Sequence, residues 1–285
     1  MTDKVEVFKF EDKRAKIATI DLDMLSKSGS LRSATSNVPG PTRPLQSWEL
    51  IRNIIEIANS NTPSCELAPI WVERKNALRL TTEEEETELG IDETNTPINK
   101  WVFNHVLTQI NINPEKAVKG YNPSIAVSFN QHGIQVVWGL NVHVCSNLSI
   151  FGENRISTYG PDRTPFNKQM DLLSYWMQNI NQKFEEDLAI KESMTKTKLA
   201  PSQINEMIGD LYKLAIDKAY NKGKYAPFNT SILSNIVRNI ETENISNVWD
   251  FYNVGTNVIK PGNFVLEEVF DTNVEWGKYL MSRIN

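Results

Sequence analysis

The sequence predicts an α+β protein: a curved antiparallel sheet with a long amphipathic helix across it and a helical C-terminal half. Three observations predict this class. Residues 124–144 are rich in Val and Ile on either side of Asn130-Gln131-His132-Gly133, a hairpin signal with a turn glycine. Phe166, Met170, Leu173, Met177, Ile180, Phe184 and Leu188 recur at spacings of three and four, the period of one helix face. The strand signals also precede the helix signals instead of alternating with them, which argues against a βαβ parallel sheet.

Along the chain, 5–10 alternates as a strand and Ile17–Leu22 reads as a second short one. Residues 26–44 collect Ser, Gly, Pro and Thr, with Pro39, Pro41 and Pro44 close together, the composition of an extended arm. Ser47 is the expected N-cap of a helix carrying Trp48, Ile51, Ile54, Ile55 and Ala58. Cys65–Val72 and Trp101–Ile112 are expected strands, and the hairpin Ser124–Phe129 and Ile134–Val144 follows them. The core of the sheet is therefore expected from Trp101 to Leu148. The long helix should bury Phe166, Met170, Leu173, Met177, Ile180 and Phe184 and expose Gln169, Gln182 and Lys183.

Further helices are expected from Pro201, with Ile204, Ile208, Leu211 and Ala215 on one face; from Asn229 or Thr230, with Ile232, Ile236 and Ile240; from Ser246; and over Asn273–Ile284. Three regions result: 1–45, two strands and the extended arm; 46–160, β-rich, with an acidic loop at 80–99; and 161–285, helical. They are expected to form one α+β domain.

Composition bounds the function. The chain has 285 residues, 40% hydrophobic and 23% charged, with a formal net charge of −5. No apolar run approaches the roughly 18 residues of a membrane helix, and the first residues form no signal peptide. Two cysteines, Cys65 and Cys145, exclude a disulfide-stapled fold and suit a reducing compartment. A cytoplasmic location is expected. Seven acids, Glu83 to Glu86, Glu88, Asp92 and Glu93, lie in one stretch without a base, leaving 28 acids against 30 bases elsewhere. That balance excludes a DNA packager that is basic throughout but allows one local basic face. The acidic run is a solvated loop or a flap that competes for such a face.

Candidate chemistry is sparse. His143 and Cys145 share a strand face and His132 lies in the turn, but zinc needs three or four convergent ligands, and Cys65 and His105 are distant in sequence. Cys145 is expected to be a small buried hydrophobe. The same His and Cys lack an orienting group for nucleophilic catalysis. Asp21 and Asp23, on one side of the expected strand, resemble half of a magnesium site but have no matching partner. No Gly-rich phosphate loop occurs. No catalytic residue, metal ligand or cofactor is assigned.

The stretch suited to nucleic acid is Lys196–Tyr225. There Lys196, Lys198, Lys213, Lys218, Lys222 and Lys224 are interleaved with Tyr220 and Tyr225, as in a groove where lysines track phosphates and rings stack on bases. Arg155 and Arg163 would extend it. The competing reading is a solvated helix end with a Gly C-cap at Gly223.

Three segments carry a resemblance: Ile134–Gly152 with Val144-Cys145-Ser146-Asn147-Leu148, Leu199–Gly209, and Asn247–Asn253 followed by Thr256. Their order and spacing resemble a family of Bacteroides and its mobile elements known as domain of unknown function 3871, with a weaker likeness to the phage and plasmid domain of unknown function 932. The likeness covers roughly Tyr121–Asn285, and Ser146 stands where that family has Thr. It implies a phage or mobile-element setting, hence a bacterial host cytoplasm as the location with packaging in a virion as the alternative, and brings no catalytic residues. Asn147, Trp249, Tyr252 and Asn253, inside these segments, either specify the fold or line a site. The expected function is non-enzymatic binding of nucleic acid, single-stranded, in replication or recombination. Homo-oligomers are among the expected partners, and the alternatives are a structural or cargo component of a virion, or an inhibitor directed at the host.

Overall fold

A computed structural model describes residues 17–28, 46–74, 103–113, 117–130, 133–142, 150–157, 166–220, 229–260 and 266–283. The fold is α+β with an antiparallel sheet and a helical C-terminal half, as the sequence predicts. The expected strand at 5–10, the acidic run at 83–93, and His132, His143, Cys145 and Asn147 lie outside the described residues.

The chain divides into two compact units. The first takes its residues from 1–115, 125–136 and 156–178, and the second from 116–124, 137–155 and 179–285. The strands are β1 Ile17–Ile20, β2 Cys65–Leu67, β3 Ile70–Arg74, β4 Phe103–Ile112, β5 Tyr121–Asn130, β6 Gly133–Val142 and β7 Ile150–Ser157. They form one sheet in the order β1-β3-β4-β5-β6-β7, with β2 also on β4. The sheet thus reaches beyond the expected 101–148 on both sides. β7 in particular is a strand of its own.

Two strand expectations need correction. The first strand stops at Ile20, because Asp21 turns the chain: its carboxylate accepts from Met24 N at 2.7 Å and caps α1, Leu22–Lys27. Asp23 pairs with Lys27 at 2.6 Å. The two carboxylates therefore do not share a strand face. The expected strand Cys65–Val72 is also broken, at Ala68-Pro69. Cys65 pairs with Ile112 and Leu67 with Ile110, whereas Trp71 pairs with Leu107, a slip of one residue along the same partner strand. Pro69 has no N–H for the ladder, so the register is lost there and regained at Ile70.

In the first unit, α2 (Ser47–Asn61) buries Leu50, Ile51, Ile54 and Ala58 and packs on α1, β2 and β4. Its N-cap is Gln46, not Ser47: the Glu49 carboxylate accepts from Gln46 N at 3.1 Å, half of a capping box. At the hairpin turn Gly133 has φ 155° and donates its N–H to Asn130 Oδ1 at 3.0 Å.

The expected single long helix is two. α3 (Phe166–Gln178) belongs to the first unit and packs on α2, while α4 (Ile180–Lys196) belongs to the second. They part at Asn179, whose φ −109° and ψ 18° are not helical. Leu173, Met177, Ile180 and Phe184 are buried as expected, and Met170 is half-buried. Gln169, expected outside, is fully buried. It lies four residues before Leu173 and seven before Trp176, so the buried stripe of α3 passes through it.

The second unit is built from α4, α5 (Pro201–Tyr220), α6 (Thr230–Ile240), α7 (Val248–Val258) and α8 (Leu266–Met281). α7 packs against α4, α6 and α8, and α5 against α6. Ile204, Ile208, Leu211 and Ala215 of α5 face this core, as do Ile232 and Ile236 of α6, whose N-cap is Asn229. α8 starts at Leu266, earlier than expected. Trp276 sits at its centre, fully buried, with Nε1 donating to Tyr252 O at 3.0 Å. Among the described residues no helix is long and apolar enough to cross a membrane.

Candidate functional site

The second unit contains a cavity of about 510 Å³ beside α7. Small-molecule sites fall in roughly the 300–1,000 Å³ range, and this cavity lies within it. It is built by spacing. Trp249, Asn253 and Thr256, at i, i+4 and i+7 of α7, occupy one helix face, and Tyr252 lies beside them. The other face of α7 turns Phe251 and Gly255 toward Trp276 of α8. Tyr121 of β5, Leu140 and Asn141 of β6 and Phe151 of β7 supply a second wall.

The start of α7 is fixed by a local network. Asn247, not Ser246, is the N-cap, and its Oδ1 accepts from Asp250 N at 2.9 Å. Asp250 Oδ2 accepts in turn from Ser246 N at 3.0 Å, Ser246 Oγ at 2.8 Å and Asn247 Nδ2 at 2.8 Å. A carboxylate in the first helical turn also meets the positive end of the helix dipole. The chain before α5 is pinned here too: Leu199 N donates to Ser246 O and Val248 N to Thr197 O, both at 3.1 Å.

The cavity's inner wall is aromatic. Trp249 stacks on Tyr252 with centroids 4.9 Å apart, Phe151 stands edge-on to both at 5.4 and 5.3 Å, and Tyr121 is edge-on to Trp249 at 5.9 Å. Trp249, Tyr252 and Phe151 are buried, and Tyr121 is half-buried. The rim is polar: Asn239 and Glu243 to Ile245 line the cavity with Asn253 and Asn257. Among the described lining residues none is Lys or Arg.

Three polar groups of the lining keep hydrogen-bonding capacity to spare. The Tyr252 hydroxyl is buried and makes no hydrogen bond among the described residues, and burial pushes its pKa far above the ordinary tyrosine range. Asp250 uses only Oδ2 in its network. The exposed Glu243 carboxylate is engaged by no hydrogen bond or ion pair among the described residues. Outside the cavity, Lys191 Nζ lies 4.9 Å from the Tyr121 ring centroid and 5.8 Å from that of Trp249, within cation–π range.

The structure brings part of the expected lysine patch near this site. Lys196 ends α4 and is exposed; Lys198, also exposed, forms an isolated bridge with Asn247 at the start of α7. Lys213 on α5 is exposed and pairs with Asp210 at 3.5 Å, sharing it with Arg283 at 2.7 Å. The side chains of Lys218, Tyr220 and Arg155, and all of Lys222, Lys224, Tyr225 and Arg163, lie outside the described residues.

The remaining candidates resolve simply. His105 Nε2 and Ser128 Oγ share a hydrogen bond of 2.7 Å, and burial lowers the histidine pKa to about 3, so it is a neutral core residue. Cys65 is half-buried, with Sγ 3.1 Å from Asn59 Oδ1. Among the described residues no three His, Cys, Asp or Glu side chains are grouped to hold a metal ion. Sequence reasoning finds Trp249, Tyr252 and Asn253 but misses Tyr121, Lys191 and the rim from Asn239 to Ile245, which periodicity does not mark. Comparison with protein-family models, curated proteins and solved structures finds no match to this chain.

Proposed function

We propose that the protein binds single-stranded nucleic acid without carrying out chemistry, and that the cavity beside α7 receives an unstacked base. The observation that carries this reading is the composition of the cavity: an aromatic inner wall, an amide-rich rim, and lysines outside it but none among its described lining. A base needs a stacking surface and hydrogen-bonding partners for its edge, and phosphates need cations that stay in solvent. Lys191 at the aromatic wall, with Lys196 and Lys198 leading to the start of α7, can neutralise phosphates flanking a bound base. Trp249 and Tyr252 then specify the fold and line the site at once.

The residue ranges of the second unit hold fifteen bases and fifteen acids, so no general positive field draws in duplex DNA. Affinity comes instead from the base and a few local contacts. A phage or mobile-element setting, in replication or recombination, rests on the resemblance of the three sequence segments.

The test is a titration of labelled single-stranded and duplex DNA at about 50 and about 200 mM salt. Single strands should bind more tightly than duplex. Replacing Lys191, Lys196 and Lys198 together should flatten the salt dependence, by roughly 0.7 in log–log slope for each phosphate no longer neutralised. Equal affinity for duplex, or no binding at the lower salt, refutes the reading.

A further inference from the structure

We propose that the rim of the cavity beside α7 reads the ribose 2′-hydroxyl, so that single-stranded RNA binds in preference to single-stranded DNA, an inference that rests on the single-strand reading above. Asparagine dominates the polar part of the lining, at Asn141, Asn239, Asn244, Asn253 and Asn257. Each amide carries donors and an acceptor together, and four of these side chains have capacity to spare. Asn244 and Asn253 are exposed, and their side chains make no hydrogen bond among the described residues. Asn257 is held through Oδ1, which accepts from Lys260 Nζ at 2.9 Å, and keeps its N–H groups. Asn239 is held the other way, with Nδ2 donating to Asn235 O at 2.8 Å, and keeps Oδ1.

A rim that both donates and accepts suits a group that does the same. A phosphate oxygen only accepts; no described lining residue is Lys or Arg to pair with it, and the Asp250 and Glu243 carboxylates repel it. The ribose 2′-hydroxyl donates once, accepts through two lone pairs and rotates to suit its partners. It is the group by which a protein tells RNA from DNA at a given site. Its place along the wall follows from helix spacing. Trp249, Asn253 and Asn257 succeed one another at four-residue intervals on one face of α7, so Asn253 lies about 6 Å along the axis from Trp249. A ribose is bonded directly to its base, and a base against the aromatic wall places its sugar within that next turn. Every ribonucleotide carries the same hydroxyl, so this contact tolerates any base, as stacking does.

The experiment titrates the full chain with three strands of one base and one length: oligouridylate, its 2′-deoxy counterpart and its 2′-fluoro counterpart. The fluoro sugar keeps the RNA-like pucker but cannot donate. Oligouridylate should bind roughly five- to tenfold more tightly than either of the others, the worth of about one net hydrogen bond, with the same salt slope. Asn253→Ala and Asn244→Ala, at exposed positions whose side chains hold no hydrogen bond among the described residues, should each lower the affinity for the ribo strand more than that for the deoxy strand. Equal affinity for the ribo and deoxy strands, or a ratio that both variants leave unchanged, overturns the hydroxyl contact and leaves the single-strand reading standing. A 2′-fluoro strand that binds as tightly as oligouridylate overturns it too, by assigning the preference to sugar pucker. Absence of binding to every strand overturns both.

Discussion

Gly255 is the tightest point in the second unit, and replacing it with alanine gives a sharp test of how α7 and α8 pack. A Cβ at Gly255 would fall inside the Trp276 indole, 2.7 Å from Cζ2 and closer still to Cε2 and Nε1. Carbon atoms in contact prefer about 3.5–4.0 Å, so the ring would have to move by roughly an ångström or more. Trp276 has little room to do so. It is fully buried, stands edge-on to Phe251 at 5.1 Å, stacks with Tyr279 at 6.3 Å and donates to Tyr252 O. Overpacking costs about 1–3 kcal/mol and a buried N–H left unpaired about 1–3 more, against a helix-propensity gain of about 1. Gly255→Ala should therefore destabilise by about 2–4 kcal/mol in urea unfolding followed by tryptophan fluorescence. Gly209 on α5 is the matched control, because a Cβ there meets nothing within 4 Å. Gly209→Ala should stabilise by about 0.5–1 kcal/mol. If both variants unfold at the same urea concentration, the close approach of α7 and α8 is wrong.

Two further outcomes are expected. Leu173→Ala, which opens the fully buried stripe of α3, should cost about 2–5 kcal/mol; an unchanged unfolding midpoint would place this helix outside the core. The pH dependence of stability should reflect two groups acting in opposite senses. Below its unfolded pKa of 6.5, His105 takes up a proton on unfolding, because burial holds its folded pKa near 3, so its contribution falls as pH falls. Asp187, buried beside Glu186, has a folded pKa raised to about 7 from 3.8, so it releases a proton on unfolding between these values and its contribution falls as pH rises. Each slope is about 1.4 kcal/mol per pH unit, and from about pH 4 to 6.5 they oppose one another. Asp187→Asn should therefore make stability climb more steeply with pH over that window, measured as urea midpoints; a profile parallel to wild type would contradict the assignment.

Much of the fold is legible because burial writes itself into periodicity. Residues 124–142 alternate in a Val- and Ile-rich hairpin, and α5 and α6 carry one-sided apolar faces, so strands and helices fall where period and β-branching put them. The misses have local causes. The α3–α4 break at Asn179 is invisible to hydrophobic spacing, since Met177, Ile180 and Phe184 keep the helical interval across it. Gln169 reads as exposed because it is polar, although its position in the turn puts it in the buried stripe. The caps at Gln46 and Asn247 each lie next to a serine that competes for the role. The site is legible only where it coincides with a helix face, at Trp249, Tyr252 and Asn253. Its other walls come from β5, β6, β7 and the turn after α6, which only tertiary structure assembles.

The most direct test of the binding account is photo-crosslinking of a single-stranded oligonucleotide carrying a halogenated pyrimidine, with the attached peptides mapped by mass spectrometry. Crosslinks should form at the aromatic wall and rim of the cavity, at Tyr121, Trp249 or the 239–257 segment, and an unlabelled single strand should compete them away. Crosslinks confined to other parts of the chain, or none above those of a duplex control, would contradict it.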